Sequence, residues 1–238
     1  GWQVAAHYHS EAGAARAEAL GRAWCTEGGT VQPIYADLRD MGAAAALARE
    51  AEDAVGPLGA VVYCAGVSGG SPLVACRHEQ SREVLQINLV AAMIVVSESL
   101  RLMLPRRYGR VVALGSPTGS RGGQQGQGAY ATSKAGLAGL VRTVANEYSP
   151  RGDFTANVVS PGFVPSPLTD AVVEMDGVAE QLKLATPLRR FGTAQEVAST
   201  VAFLLSDGAT YINGADIPVD GGFSLKHLPR TRRIRRSS

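Results

Sequence analysis

The sequence predicts a single α/β domain built on a doubly wound parallel sheet, with helices on both faces. Three observations support this prediction: apolar strand patterns alternate with helical patterns along the chain, glycine and proline occur between them, and no repeat or linker separates two halves. The length of 238 residues and the 45% share of hydrophobic residues suffice for one substantial core.

Each predicted element rests on its own stretch of sequence. Short apolar, β-branched runs predict strands at 1–8, 30–36, 58–63, 110–114, 155–159 and 216–219. Alanine-rich or amphipathic stretches predict helices at about 11–25, 41–55, 78–104, 129–148, 169–185 and 194–205. The stretch 78–104 is expected to form one uninterrupted helix that ends at Pro105.

Apolar runs and cysteine spacing indicate where in the cell the protein is expected to function. No apolar run approaches the ~20 residues of a membrane-spanning helix and no secretory leader is recognisable, so we expect no membrane association. Cys25, Cys64 and Cys76 form no CxxC pair, which disfavours a metal site or a disulfide and suits a reducing cytoplasm.

The last residues differ in charge from the rest of the chain. Residues 226–238 carry six of the 23 basic residues and no acidic one, and we expect them to be a solvated, disordered tail beyond a domain at 1–225. Contact with nucleic acid or an anionic membrane is the alternative. Because no aromatic residue interleaves these charges, we expect no nucleic-acid partner.

The segment 109–134 carries the residues with the clearest chemistry. Its strand ends at Gly115 and Ser116, and the helix that follows contains Tyr130 and Lys134, four residues apart and therefore on one helical face. A tyrosine can pass a proton to a carbonyl, a lysine cation favours the ionised tyrosine, and a serine can donate a hydrogen bond to the carbonyl oxygen. The Tyr–Lys spacing alone is a weak signal, because a surface tyrosine and lysine on any amphipathic helix produce it.

Together with Val159-Ser160-Pro161-Gly162 further along, this segment resembles the short-chain dehydrogenase/reductase family, most closely its 3-oxoacyl-thioester reductase branch. The resemblance extends from residue 1 to about residue 223 and implies a Rossmann-like sheet. It also implies that Lys134 holds the nicotinamide ribose and that Asn88 keeps a water linking this lysine to solvent. An asparagine satisfied within the core is the alternative for Asn88.

The sequence departs from the family pattern at three places. The family's first strand and its TGxxxGxG turn would precede the strand at 1–8, and we expect that roughly 20–30 upstream residues, one strand-turn-helix unit, are missing. Without them, the strands at 1–8 and 58–63 would face each other across a gap. The step from Ser116 to Tyr130 is fourteen residues, one more than usual, which predicts an insertion near 122–128. Cys64 stands where the family usually has Asn, and a thiol cannot make the same hydrogen bonds.

The resemblance also assigns residues to a nucleotide cofactor. The strand at 1–8 is followed by His9 and Ser10, with no acid that would repel a 2′-phosphate, and this favours NADP(H). Glu11 is the counter-argument, although the first turn of a helix also favours an acid. The other expected cofactor contacts are Asp37 and Leu38 at the adenine, Cys64, Ala65 and Gly66 after the third strand, Pro161, Gly162, Val164 and Ser166 at the nicotinamide, and Tyr130 with Lys134.

We therefore expect an NADP(H)-dependent oxidoreductase that reduces a ketone, a 3-oxoacyl thioester, in fatty-acid or polyketide-type metabolism. The apolar stretch 165–190 is expected to form a mobile substrate lid, in which Arg189 and Arg190 either contact a phosphopantetheine carrier or are solvated. Two alternatives stay open: a sugar or steroid alcohol dehydrogenase of the same fold, and a non-catalytic partner subunit. Residues 194–205 and 216–219 resemble segments that pair subunits, so we expect a homo-oligomer, a tetramer or dimer, in the cytoplasm.

Overall fold

The computed structural model describes residues 2–25, 29–169, 175 and 177–225, except for the side chains of residues 24 and 25. The strands are β1 (Gln3–Tyr8), β2 (Thr30–Tyr35), β3 (Ala60–Tyr63), β4 (Tyr108–Leu114), β5 (Asp153–Pro161) and β6 (Asp216–Val219). The helices are α1 (Glu11–Cys25), α2 (Met41–Val55), α3 (His78–Leu85), α4 (Ala91–Met103), α5 (Pro117–Ser120), α6 (Gly128–Tyr148), α7 (Val178–Ala185) and α8 (Ala194–Leu204). The predicted alternation of strands and helices is confirmed.

All strand pairs in the described residues are parallel. β1 pairs with β2 in one sheet, whereas β3, β4, β5 and β6 lie in that order in a second sheet. Within the described part of the chain β1 and β3 are not hydrogen-bonded to each other and belong to separate sheets.

Helices cover both faces of the larger sheet, as a doubly wound fold requires. Successive side chains of a strand point to opposite faces, and β4 illustrates this alternation. Val111 and Ala113 are buried in one core with residues of α2, α4 and α6. Val112 is buried in a second core together with Leu204 of α8. The buried, β-branched composition of β4 follows from this packing on two sides.

The structure corrects the prediction of one uninterrupted helix over 78–104. A π-helical turn at Gln86–Val90 separates α3 from α4. The short helix α5 was not predicted. The predicted helix at 169–185 is described only from Val178 onward, because residues 170–174 and 176 lie outside the described residues. The predicted basic tail, 226–238, also lies outside them.

One helical segment bears on the expectation that no segment could span a membrane. His78–Arg106 is long and apolar enough to do so by length and composition, so that expectation is wrong as stated. Ala91, Ala92, Val96 and Met103 of this segment are buried in the same core as α2 and α6. The core helix of a globular domain meets the same criterion, so the finding is weak evidence for a membrane span.

Candidate active site

The carboxyl end of β4 presents Ser116. Gly115 precedes it at a point where β4 runs close against β5: a Cβ at Gly115 would lie 2.4 Å from Val158 Cγ1 and 2.7 Å from Ser160 Oγ. The chain then turns into α5, and the Ser116 hydroxyl caps this helix by accepting a hydrogen bond from the Thr118 N–H at 3.3 Å. The cap fixes Ser116 at the end of the sheet.

Tyr130 lies in the first turn of α6 and meets Ser116. The Ser116 hydroxyl lies close enough to the phenol of Tyr130 to lower its pKa. Burial raises the pKa of Tyr130 above its ordinary value, and the influence of Ser116 opposes this shift without overcoming it. The phenol is therefore protonated at neutral pH, as a proton donor must be.

Lys134 follows one helical turn after Tyr130 and is buried, with only 6% of its surface exposed. Its Nζ donates a hydrogen bond to the Leu114 carbonyl at 2.7 Å and lies 5.8 Å from the centre of the Tyr130 ring. Burial lowers the pKa of Lys134 to about 8, with the nearby Cys64 thiol acting in the opposite direction. Burial is the largest influence on the pKa of Tyr130, and the expectation that the Lys134 cation favours the ionised tyrosine stays a prediction.

Asn88 is fully buried in the π-helical turn and its amide is engaged on both sides. Its Oδ1 accepts from the Val67 N–H at 2.8 Å, and its Nδ2 donates to the Val67 carbonyl at 2.9 Å and to Ser133 Oγ at 3.1 Å. Ser133 Oγ in turn donates to the Tyr130 carbonyl at 2.7 Å. Asn88 thus ties the loop after β3 to the helix that carries Tyr130 and Lys134.

Gly66 marks a close approach in the same place. A Cβ at this position would lie 3.3 Å from Lys134 Nζ and 3.4 Å from Asn88 Oδ1. Gly66 therefore brings bare backbone beside the lysine, and Ala65 and the exposed Cys64 connect it to the end of β3. A cradle without side chains next to a cation and a phenol fits the ribose of a nicotinamide cofactor.

The expected phosphate and adenine contacts lie at the carboxyl ends of β1 and β2. Ser10 Oγ accepts from the Gly13 N–H at 3.2 Å at the start of α1, and Glu11 lies in the first turn of this helix. The charge of His9 acts on the Asp37 carboxylate, so the two strand ends are close in space. Ser10 and His9 both retain donors suited to a phosphate.

Asp37 has a partner that the sequence did not indicate. Its carboxylate forms a bidentate ion pair with Arg39, with an Nη2–Oδ2 distance of 2.7 Å. This pair lowers the pKa of Asp37 to about 2. Leu38 is buried in the main core, so its expected adenine contact would use its backbone.

The loop after β5 contains the residues expected at the nicotinamide. Gly162 donates its N–H to the Val219 carbonyl at 3.0 Å, and a Cβ here would lie 2.7 Å from the Asp220 Cα. Thr169 holds the rest of the loop, because its Oγ1 bonds the Val164 carbonyl at 2.8 Å and Ser166 Oγ at 3.2 Å. Pro161 ends β5.

The structure therefore brings Ser116, Tyr130, Lys134 and Asn88 together at the carboxyl edge of the sheet, where open α/β sheets bind their ligands. Sequence reasoning missed the Leu114 carbonyl, Arg39 and Thr169. It also missed Tyr63, whose hydroxyl bonds the π-helical turn. A buried tyrosine next to the Cys-Ala-Gly loop was the available signal.

The chain is similar to known reductases over most of its length. The family described as enoyl-(acyl carrier protein) reductase matches residues 1–224. The 3-oxoacyl-[acyl-carrier-protein] reductase MabA of Mycobacterium avium is 39% identical over 197 residues, which cover 82% of this chain and 74% of that protein.

Solved structures agree with this similarity. A short-chain dehydrogenase/reductase from Serratia marcescens is 33% identical, with a TM-score of 0.86, over 94% of this chain and 88% of that one. A gluconate 5-dehydrogenase from Burkholderia cenocepacia, in complex with NADP and tartrate, is 25% identical, with a TM-score of 0.86, over 94% of this chain and 86% of that one. The predicted Rossmann-like α/β fold is confirmed, and the chain belongs to the short-chain dehydrogenase/reductase family of oxidoreductases.

Proposed function

We propose that this oxidoreductase uses NADPH to reduce a 3-oxoacyl thioester to the 3-hydroxyacyl product. The observation that carries the proposal is the convergence of Ser116, Tyr130 and Lys134, with Asn88 behind them, at the carboxyl edge of the sheet. The similarity to a 3-oxoacyl-[acyl-carrier-protein] reductase supports the acyl substrate class.

Each side chain has a defined part in carbonyl reduction. When bound, the nicotinamide cofactor would supply a hydride to the carbonyl carbon. Tyr130, whose phenol is protonated at neutral pH, donates its proton to the carbonyl oxygen. The Ser116 hydroxyl donates a hydrogen bond to the same oxygen, and the Lys134 cation binds the ribose hydroxyls. The positive charge of Lys134 then stabilises the phenolate that proton transfer leaves behind.

The preference for NADPH over NADH rests on the residues after β1. His9 and Ser10 offer donors to a 2′-phosphate, and Glu11 lies in the first turn of α1. We expect His9→Asp to weaken NADPH binding by about tenfold or more, because a carboxylate would repel the phosphate, and to spare NADH. Kd values for NADPH and NADH measure this effect. An unchanged ratio of the two Kd values would show that His9 does not contact the 2′-phosphate.

Exposed apolar side chains lie in the stretch 165–190, which is expected to form the substrate lid. Leu168, Met175, Leu184 and Leu188 are exposed between β5 and α8, which suits contact with an acyl chain. Arg190 forms an ion pair with Glu196 at 2.6 Å, and Arg189 donates to the Leu184 carbonyl. A phosphopantetheine carrier would therefore have to compete with these contacts to bind either arginine.

The second candidate function is reduction of an oxidised sugar or sugar acid. The similarity to a gluconate 5-dehydrogenase favours it. Steady-state NADPH oxidation with acetoacetyl-CoA, with a keto-sugar acid and with a keto-steroid separates the candidates by kcat/KM. Turnover of acetoacetyl-CoA alone supports the proposal, whereas turnover of the keto-sugar acid alone favours the second candidate. No turnover together with no measurable NADPH binding would favour a non-catalytic partner subunit.

We also propose that the protein is a cytoplasmic homo-oligomer. Phe203 is a large, exposed side chain on α8, one of the two segments expected to pair subunits, and the exposed Tyr211 lies between these segments. Light scattering after size-exclusion chromatography tests this, and a monomer at micromolar concentration would contradict it.

A further inference from the structure

Tyr63, which the proposed mechanism does not use, makes a specific contact with the helix that carries Asn88. It is the last residue of β3 and only 5% of its surface is exposed. Its hydroxyl donates a hydrogen bond to the Ile87 carbonyl at 2.5 Å. The ring packs in the main core, so the hydroxyl is the polar end of an otherwise apolar side chain.

The π-helical turn changes which backbone donor faces the Ile87 carbonyl. The Ala91 N–H bonds the Gln86 carbonyl, five residues earlier, whereas in an α-helix it would bond the Ile87 carbonyl, four residues earlier. The Ile87 carbonyl therefore does not receive the Ala91 N–H that an α-helix would offer it, and the Tyr63 hydroxyl donates to this carbonyl. A hydroxyl at this point stabilises the π-helical turn relative to a regular α-helix.

The register of this turn decides where Asn88 points. Adjacent residues of an α-helix differ by about 100° around its axis, so removal of the extra residue from the turn would rotate Asn88 away from the loop. In the π-helical register, the Asn88 amide hydrogen-bonds both the N–H and the carbonyl of Val67. Tyr63 and Val67 flank the Cys-Ala-Gly loop and hold two successive helix residues, Ile87 and Asn88.

The position of Asn88 in turn shapes the surroundings of Lys134. The Asn88 Oδ1 and Lys134 Nζ both lie against Gly66, within 3.4 Å of where a Cβ would be. Asn88 also bonds Ser133, the residue before Lys134 in α6. A shift of the amide would therefore change both the backbone cradle and the helix that carries the lysine.

We propose that Tyr63 is a positioning residue for the carbonyl reduction, because its hydroxyl fixes the π-helical turn that aims Asn88 at the Val67 loop beside Lys134. The inference rests on the proposed function for its kinetic consequence alone, since the hydrogen bonds that carry it are independent of the substrate. It gives this tyrosine a role that a purely apolar core residue would not have.

The test removes only the hydroxyl. Tyr63→Phe keeps the ring, and Tyr148→Phe is the matched control, since Tyr148 packs its ring on Phe154 and its hydroxyl makes no hydrogen bond within the described residues. We expect Tyr63→Phe to lower kcat on the order of tenfold, with KM for NADPH changed by less than about twofold, and Tyr148→Phe to change neither. Tyr63→Met fills the site with a flexible apolar chain and provides a second hydroxyl-free protein if the first does not fold.

A double-mutant cycle distinguishes positioning from general damage. If Tyr63 acts through Asn88, Tyr63→Phe lowers kcat little further in an Asn88→Ala background, by less than about twofold. Full additivity of the two losses would overturn the proposal, as would a kcat for Tyr63→Phe equal to that of Tyr148→Phe.

Hydrogen exchange provides a readout that needs no turnover. The Val67 amide donates to Asn88 Oδ1, so we expect its protection to fall by about tenfold in Tyr63→Phe and to stay unchanged in Tyr148→Phe. Unchanged Val67 protection in both variants would overturn the proposal. If the wild-type protein reduces no carbonyl, the proposed function fails, and Val67 exchange still decides the role of Tyr63.

Discussion

The ammonium group of Lys134 donates a hydrogen bond to the Leu114 carbonyl at 2.7 Å, joining α6 to the last residue of β4. Leu114 precedes Gly115 and Ser116, so the lysine is anchored two residues from the serine of the same site. The contact places a buried cation at the carboxyl end of β4. Burial of this charge has a measurable consequence for stability.

The stability of the cofactor-free protein should depend on pH through Lys134. Its pKa is about 8 in the folded protein, whereas an ordinary lysine has a pKa of 10.5, so between these pH values the unfolded chain holds a proton that the folded protein has released. The free energy of unfolding therefore rises with pH in this window, by up to about 1.4 kcal/mol per pH unit.

Urea unfolding of wild type and Lys134→Met from pH 7 to pH 10 measures this effect. We expect the wild type to gain stability relative to Lys134→Met as the pH rises above 8. A difference between the two proteins that stays constant over this range would show that Lys134 titrates normally.

Gly66→Ala should weaken cofactor binding. The added methyl group would press on Lys134 Nζ and Asn88 Oδ1 from 3.3 and 3.4 Å, in the cradle proposed for the ribose. We expect Kd for NADPH to rise about tenfold or more and the free energy of unfolding to fall by about 1–3 kcal/mol. Gly123→Ala is the control, because a Cβ there meets nothing within 4 Å. Equal NADPH affinity in both variants would argue against the cradle.

Arg110 allows stability to be separated from activity. It is buried at the amino-terminal half of β4, where its guanidinium bonds the Asp153 carboxylate at 2.9 Å and lies 4.5 Å from the centre of the Tyr108 ring. Asp153→Ala leaves this buried charge without its carboxylate. Because Asp153 is half exposed, water moderates the cost, and we expect a loss of about 1–2 kcal/mol.

Thermal or urea unfolding and kcat/KM together check this expectation. Asp207→Ala is the control, since the Asp207 carboxylate has no ion pair within the described residues. Both variants should keep wild-type kcat/KM because they lie away from the site. Loss of activity in Asp153→Ala without loss of stability would contradict the assignment of Arg110 to structure.

Much of the fold could be predicted because strands buried on two faces have a distinctive composition. β4 and β5 each contain two adjacent valines, Val111-Val112 and Val158-Val159, and the two members of each pair fill different cores. That β1 and β3 do not pair with each other also followed from the sequence, because the resemblance orders the strands. The π-helical turn at Gln86–Val90 did not, since one extra residue in a long apolar helix leaves its hydrophobic pattern almost unchanged.

The site was predictable to the extent that its chemistry lies in side chains. Ser116, Tyr130 and Lys134 stand at spacings that a strand and a helix bring together. The Leu114 carbonyl is a backbone group that any residue supplies, so no sequence pattern reveals its bond to Lys134. The effect of burial on Tyr130 was likewise invisible, because it depends on packing from distant segments.

The most direct measurement is the rate of carbonyl-dependent NADPH oxidation by Tyr130→Phe compared with wild type and Tyr148→Phe. The account predicts that kcat/KM falls by about 10²–10⁴ when the Tyr130 proton is removed, with NADPH affinity and fold retained, and that Tyr148→Phe is unaffected. A near wild-type rate for Tyr130→Phe would contradict the claim that Tyr130 donates the proton.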